Sequence, residues 1–251
     1  MRFHSTDSQM VSYPNDIYDP VFVEQLFDKM STSYSRMNVI TSFGFSVLWR
    51  RQCVAAAGLK PGMEIVDLMS GMGEAWEPIT QQTKDRGRII GVDFCRAMLR
   101  FADRQRTKLG SYHIEILCEN ALQTSIPNAS VDAVISTFGL KTFSPEQLHL
   151  LAREINRILK PGGVISMVEI SQPRPILLRM PYLFYLKICI PLLGKLFLDN
   201  PSSYRMLGEY TERFGDCSAA MAIFKTAGLQ VEIKSYFFGC ATGIVGKKQV
   251  V

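Results

Sequence analysis

The chain has only three histidines, no C-x-x-C pair among its six cysteines, and no run of five or six like charges. Scattered singly, Cys53, Cys95, Cys118, Cys189, Cys217 and Cys240 outline neither a zinc site nor a disulfide framework. They read as reduced core residues, and no metal is expected. With 28 basic and 23 acidic residues the net charge of +5 is mild, and without a basic tail it excludes nucleic acid as an expected partner. The first residues lack the apolar stretch of a secretory signal. The most apolar region, residues 176–198, is broken by Arg179, Pro181, Lys187, Pro191 and Lys195. A spanning helix needs roughly 20 mainly apolar residues, so no transmembrane segment is expected and the reading is a cytoplasmic protein. No internal repeat or composition break divides the 251 residues, and a hydrophobic content of 47% is enough for one buried core.

What is present centres on residues 64–74. Glu-Ile-Val-Asp-Leu-Met reads as a buried strand that runs into Ser70, Gly71, Met72 and Gly73. Glycine permits a sharp turn and lets a ligand approach the backbone, so strand, Gly-x-Gly and helix together form a nucleotide-sized pocket. A second apolar strand, residues 88–93, ends in Asp93 one strand-helix unit later, where a carboxylate can accept both hydroxyls of a ribose. These two stretches together resemble the cofactor site of class I S-adenosylmethionine-dependent methyltransferases.

Along the chain, residues 20–30 place Val23, Leu26, Phe27 and Met30 on one side of a helix, and a second helix runs through residues 43–51. From residue 64 strands and helices alternate, which predicts a parallel sheet covered on both faces. Residues 94–108 read as a helix and 164–170, after Pro-Gly-Gly, as a strand. Ser144-Pro-Glu-Gln147 is a helix start with its own capping side chains. The alternation breaks over residues 171–215, a length better filled by helices than by a bare loop. Two strands, residues 230–238 and 240–246, close the sheet as an antiparallel hairpin.

Over nearly its whole length the sequence resembles the UbiE-type C-methyltransferases of ubiquinone and menaquinone biosynthesis. The residues that carry this are Phe27-Asp-Lys-Met-Ser, Tyr34, Met37-Asn38, Ser42-Phe-Gly-Phe and Trp49-Arg50 at the start. Phe138-Gly-Leu140, Leu159-Lys-Pro-Gly-Gly163, Glu169-Ile-Ser-Gln-Pro173 and Ser203-Tyr-Arg-Met-Leu207 follow in the family's order. The resemblance implies one α/β domain over residues 1–251. It has a seven-stranded Rossmann-like sheet, mostly parallel, with an N-terminal helical cover (1–60) and a helical insertion over the acceptor site (171–215). It also implies S-adenosylmethionine as cofactor. Position by position, Ser70, Gly71, Met72 and Gly73 pass beside its methionine part, Asp93 holds the ribose, Met98 flanks the adenine, and Asn120 with Ala121 meets the adenine edge. Thr137 stands at a cofactor-contacting hydroxyl position, and Asp67 and Phe94 belong to the same set.

Departures from the family fall in the site. Met69-Ser70 and Met72 stand where relatives have smaller residues and a threonine, and Tyr34 is followed by Ser35 rather than an aspartate. The family's Phe-Gly-Leu-Arg-Asn reads Phe138-Gly-Leu-Lys141-Thr142, and Lys differs from Arg in geometry, hydration and ease of deprotonation. The implied acceptor is an apolar or aromatic small molecule, a quinone or phenol, methylated at carbon. Lys141 is then the cation that stabilises a phenolate or the base itself, with Tyr34 or Thr142 orienting the hydroxyl; the plain alternative for Lys141 is a solvated loop residue. Glu169 either faces the cleft or accepts from a nearby amide. Methylation at oxygen or nitrogen, other sulfonium chemistry such as ring amination, and a silent cofactor-binding subunit are the rival functions. Residues 176–198 read as a roof for an apolar acceptor, a helix resting at a lipid headgroup layer, or an ordinary helical subdomain. Peripheral membrane association and a homodimer are the expected options for partners.

Overall fold

The computed structural model describes residues 16–84, 86–110, 112–192 and 201–250, with backbone alone for 201–204. Three helices come first: α1 (Pro20–Met30), α2 (Tyr34–Thr41) and α3 (Phe45–Ala56). The alternating part follows as β1 (Glu64–Leu68), α4 (Trp76–Thr83), β2 (Arg88–Asp93), α5 (Arg96–Lys108), β3 (His113–Cys118) and β4 (Val131–Thr137). A short 3-10 turn at Leu140–Thr142 leads to α6 (Pro145–Ile158) and β5 (Leu159–Ile170). The insertion holds α7 (Ile176–Phe184), which continues into a wider π turn (Tyr185–Cys189), and α8 (Pro201–Phe214). Last come α9 (Ser218–Thr226), β6 (Leu229–Tyr236) and β7 (Ala241–Lys248).

The seven strands lie in the order β3-β2-β1-β4-β5-β7-β6. Only β7 runs against its neighbours, pairing antiparallel with both β5 and β6. The order reverses at β1, which pairs in parallel with β2 on one side and β4 on the other. In open sheets of this kind ligands bind beyond the carboxyl ends of the strands at that reversal. β1 and β4 end in the two segments singled out in the sequence, 69–73 and 138–142.

Both faces of the sheet are buried, as a parallel sheet requires. On one face Leu148, Leu151, Ile155 and Ile158 of α6 and Phe224 of α9 pack against Val66, Leu68, Val134 and Ile165. On the other, Trp49 and Cys53 of α3, Trp76 and Ile79 of α4 and Leu99 of α5 cover Ile65, Ile89 and Ile135. A third, smaller core joins the N-terminal helices to the insertion through Leu26, Met30, Met37, Leu186, Met206 and Tyr210. The Tyr185 hydroxyl donates to Thr41 O at 2.8 Å, and that of Tyr210 to Ile17 O.

Several boundaries differ from the sequence reading. β5 starts at Leu159 rather than after the Pro-Gly-Gly stretch, because a bulge opposite Val131–Ala133 absorbs the extra residues. α5 starts at Arg96, since the Asp93 carboxylate accepts the Cys95 amide and holds the chain out of the helix. β6 stops at Tyr236, where Phe237 and Phe238 take positive φ. All six cysteines are free, but Cys118 is exposed and Cys189 half-buried, so the expectation that they are core residues fails at those two positions.

Candidate functional site

β1 ends with Met69 at φ 54°, an unfavourable value for a non-glycine residue, and the chain then turns through Gly71 (φ 55°) and Gly73 (φ 75°) into α4. A Cβ on Gly73 would lie 2.6 Å from the Trp76 indole, so this glycine exists for the packing of α4 against the turn. β4 ends in the same manner with Phe138 at φ 68°. A Cβ on the next residue, Gly139, would lie 2.8 Å from Met69 Cβ, so the two strand ends meet there without room for a side chain. Backbone strain of this kind persists only where packing over-determines it.

The cleft between the two ends is lined by Met69, Ser70, Gly71, Asp93, Phe94, Met98, Thr137 and Phe138 from the sheet side. Val23, Phe27, Tyr34, Arg50, Glu74, Gly139 and Thr142 close it. Asp93 takes one backbone N–H on each carboxylate oxygen, from Gly71 at 2.8 Å and Cys95 at 2.9 Å. The carboxylate lines the cleft and keeps acceptor capacity, as a pair of ribose hydroxyls requires. Burial nonetheless raises its carboxyl to about 6. Asp67 sits beneath the turn, 1% exposed, and neither of its oxygens has a hydrogen-bond partner. Burial raises its carboxyl to about 8, the opposing pull of the Arg50 guanidinium being smaller. Trp76 Nε1 lies near enough to ease that rise but outside hydrogen-bonding geometry. The Ser70 hydroxyl in the cleft wall is also without a partner. Buried unpaired oxygens are costly, and around a glycine turn they suit a ligand that brings donors of its own. These features fit the nucleoside and amino-acid ends of S-adenosylmethionine.

Behind the cleft lies an apolar chamber of about 280 Å³. Phe27, Tyr34, Phe138 and Thr142 line both spaces and form the wall between them. The rings of Phe27 and Tyr34 meet edge to face at 5.8 Å. Burial, and after it the Glu74 carboxylate, pushes the Tyr34 phenol well above its ordinary value, so it stands as a neutral O–H. Lys141 enters the chamber wall from the 3-10 turn, 5% exposed. Its Nζ donates to Glu169 Oε1 at 2.7 Å and to Phe138 O at 2.9 Å, leaving one of three protons uncommitted. Glu169, fully buried, also accepts the backbone amides of Lys141 and Ile170. The solvated-loop alternative for Lys141 is therefore excluded, and Glu169 proves to be both an amide acceptor and a counter-ion.

The expected residues do not all converge. Tyr34, Ser70, Gly71, Asp93, Phe94, Met98, Thr137, Lys141 and Thr142 line one or other of the two spaces. Asp67, beneath the turn, and Gly73, packed on Trp76, line neither space, and Met72 turns away to pack with Cys95, Ala97 and Met98. Asn120 is exposed and accepts the Leu122 amide, while Ala121 lies in the sheet core, and neither reaches the cleft. Arg50 was marked in the sequence only as part of the family's N-terminal signature and was given no place in the site. Buried on α3, it stacks over the Phe138 ring at 5.2 Å, donates to Thr137 Oγ1 at 3.4 Å and lies 3.8 Å from Glu74. An arginine on an otherwise buried face of α3, beside Trp49 and Cys53, was the available signal. Among the described residues no group of three or more His, Cys, Asp or Glu could hold a metal ion.

Comparison with known proteins agrees with this geometry. A model of the ubiE/COQ5 methyltransferase family matches residues 15–248. A demethylmenaquinone methyltransferase of Bacillus cereus is 31% identical over 227 residues, 90% of this chain and 95% of the relative. One from Bacillus anthracis is similar to the same extent. Among solved structures the [4+2]-cyclase SpnF superposes with TM-score 0.64 at 15% identity, over 91% of this chain and 96% of that one. A possible histamine N-methyltransferase of Thermotoga maritima gives 0.60 at 18%, over 90% and 99%. At such identity these two share the fold alone. A family model that matches across the chain and a relative 31% identical over 90% of it lead to one conclusion: this S-adenosylmethionine-dependent methyltransferase belongs to the ubiE/COQ5 methyltransferase family.

Proposed function

We propose that the chain methylates a ring carbon of a quinol-like or phenolic acceptor held in the apolar chamber. The observation that carries this is the buried Lys141 at the chamber wall, next to the residues that separate chamber from cleft. When bound, the cofactor supplies an electrophilic sulfonium methyl. The chain has to exclude water, aim the acceptor and raise the electron density of its ring. Alignment of this kind lowers a barrier by roughly 7–11 kcal/mol. Ring carbon becomes nucleophilic when a neighbouring hydroxyl ionises, and the uncommitted N–H of Lys141 is suited to donate a hydrogen bond to that oxyanion. Glu169 fixes the ammonium from behind, so the acceptor meets a positioned donor within apolar walls. The neutral hydroxyls of Tyr34 and Thr142 orient the ring. The names of the Bacillus relatives, demethylmenaquinone methyltransferases, favour a quinone precursor of this class.

The test is incubation of the purified chain with S-adenosylmethionine and a reduced, demethylated quinol, followed by product mass and NMR. Addition of one methyl at a ring carbon is expected. Lys141→Met should then lower turnover on the order of 10²-fold or more while S-adenosylhomocysteine still binds. Unchanged turnover removes Lys141 from the chemistry, and a methyl on oxygen overturns the carbon assignment.

A further inference from the structure

α7 and the turns after it are apolar on two sides. The inner residues Leu178, Tyr182, Tyr185, Leu186 and Ile190 line the chamber. The outer residues Leu177, Met180, Phe184, Ile188 and Leu192 recur at helical spacing and are exposed, Leu177 at 90% and Met180 at 63%. A helix that is apolar all round is stable only when both sides are covered. The outer stripe does not stand alone. Phe43, 78% exposed, stacks on Tyr185 at 5.9 Å, and Phe238, 72% exposed, meets Phe237, which packs on Phe45 at 4.6 Å. Phe43, Phe45 and Phe237 are themselves chamber-lining residues, so the exposed apolar surface is continuous with the chamber wall.

Charge selects the occupant. Residues 36–45 and 171–192, which carry most of this surface, contain Arg36, Arg174, Arg179 and Lys187 and no acidic residue. Arg174 and Lys187 pair with Asp216 and Glu212, while among the described residues Arg36 and Arg179 have no salt bridge. An apolar stripe flanked by cations suits an interface of acyl chains beneath anionic headgroups. No helix among the described residues is long and apolar enough to cross a membrane, so the contact lies in the plane of the bilayer. We propose that the outer stripe of α7, with Phe43 and the Phe237–Phe238 pair, is a docking surface for an anionic lipid membrane. Docked in this way, the chamber opens towards the lipid, and an apolar acceptor enters it without crossing water. That consequence rests on the acceptor reading above; the docking itself does not.

Sedimentation of the full chain with vesicles tests the surface directly. Binding is expected to vesicles of phosphatidylcholine with phosphatidylglycerol, weaker binding to phosphatidylcholine alone, and weakening by salt. The double variant Leu177→Asn, Phe184→Asn changes neither cleft nor chamber wall. It should bind the anionic vesicles at least about tenfold more weakly, with melting temperature and S-adenosylhomocysteine binding retained. Leu150→Asn, an exposed position on α6, should bind like the parent chain. Absence of binding by the parent chain, or equal binding by the double variant, overturns the proposal. So does a dimer that the double variant dissolves without any vesicle binding, which would make a second copy the occupant. Vesicle binding together with failure on every quinol sustains the docking surface and removes the acceptor reading instead.

Discussion

Asp67 shows how one buried side chain makes the stability of the fold depend on pH. The carboxyl is buried without a partner, and its value of about 8 lies far above the roughly 3.9 of an unfolded aspartate. Between those two values the folded chain holds a proton that the unfolded chain has released, so this group makes stability fall as pH rises from about 4 to about 8. Arg50 opposes the rise, while Glu74 and Asp93 add to it. Asn in this place has no proton to lose. Asp67→Asn is therefore expected to melt close to the parent chain near pH 4.5 and several degrees above it near pH 8. Asp93, also raised, titrates in both proteins, and its own contribution largely drops out of the difference. Thermal melts across that range check this; a gap that stays constant with pH would sink it.

At the scale of elements, the turn between β1 and α4 is set by what a Cβ would strike. At Gly73 a left-handed φ and a 2.6 Å approach to Trp76 act together. Gly73→Ala should cost about 1 kcal/mol or more from backbone strain alone, and should shift Trp76, which is fully buried, in its fluorescence. An unshifted spectrum with parental stability would mean that the turn relaxes freely. The sequence disclosed this element well: strand, glycine pair and Asp93 are local features of pattern and spacing. The capping box at Ser144 was equally readable, and both of its reciprocal bonds form. What escaped was non-local. The carboxylate that holds Lys141 comes from another strand, 28 residues on, and the aromatic face over which Arg50 stacks lies 88 residues along the chain. The reason for Gly139 lies in Met69 on another strand. Asn120 and Ala121, assigned by motif alone, show the converse: correct strand ends do not bring every such residue to the cleft.

At the scale of the molecule, the N-terminal helices and the insertion were legible as separate coverings but not as one body. The structure joins them in a core of their own, resting over the chamber and distinct from the two that cover the sheet. A buried hydroxyl fastens that union, since Tyr210 on α8 donates to the carbonyl of Ile17 just ahead of α1. Replacing the donor leaves a buried carbonyl unsatisfied, at a cost of about 1–3 kcal/mol. The sheet has its own two cores and does not depend on this contact. Tyr210→Phe is accordingly expected to loosen the cover locally while the sheet melts nearly as before. Limited proteolysis followed by mass spectrometry should show faster cleavage between residues 16 and 44, slowed again by S-adenosylhomocysteine because Phe27 and Tyr34 line the cleft as well as the chamber. If cleavage instead spreads evenly through the chain, the three cores unfold as one unit and the cover has no independent motion with which to admit an acceptor.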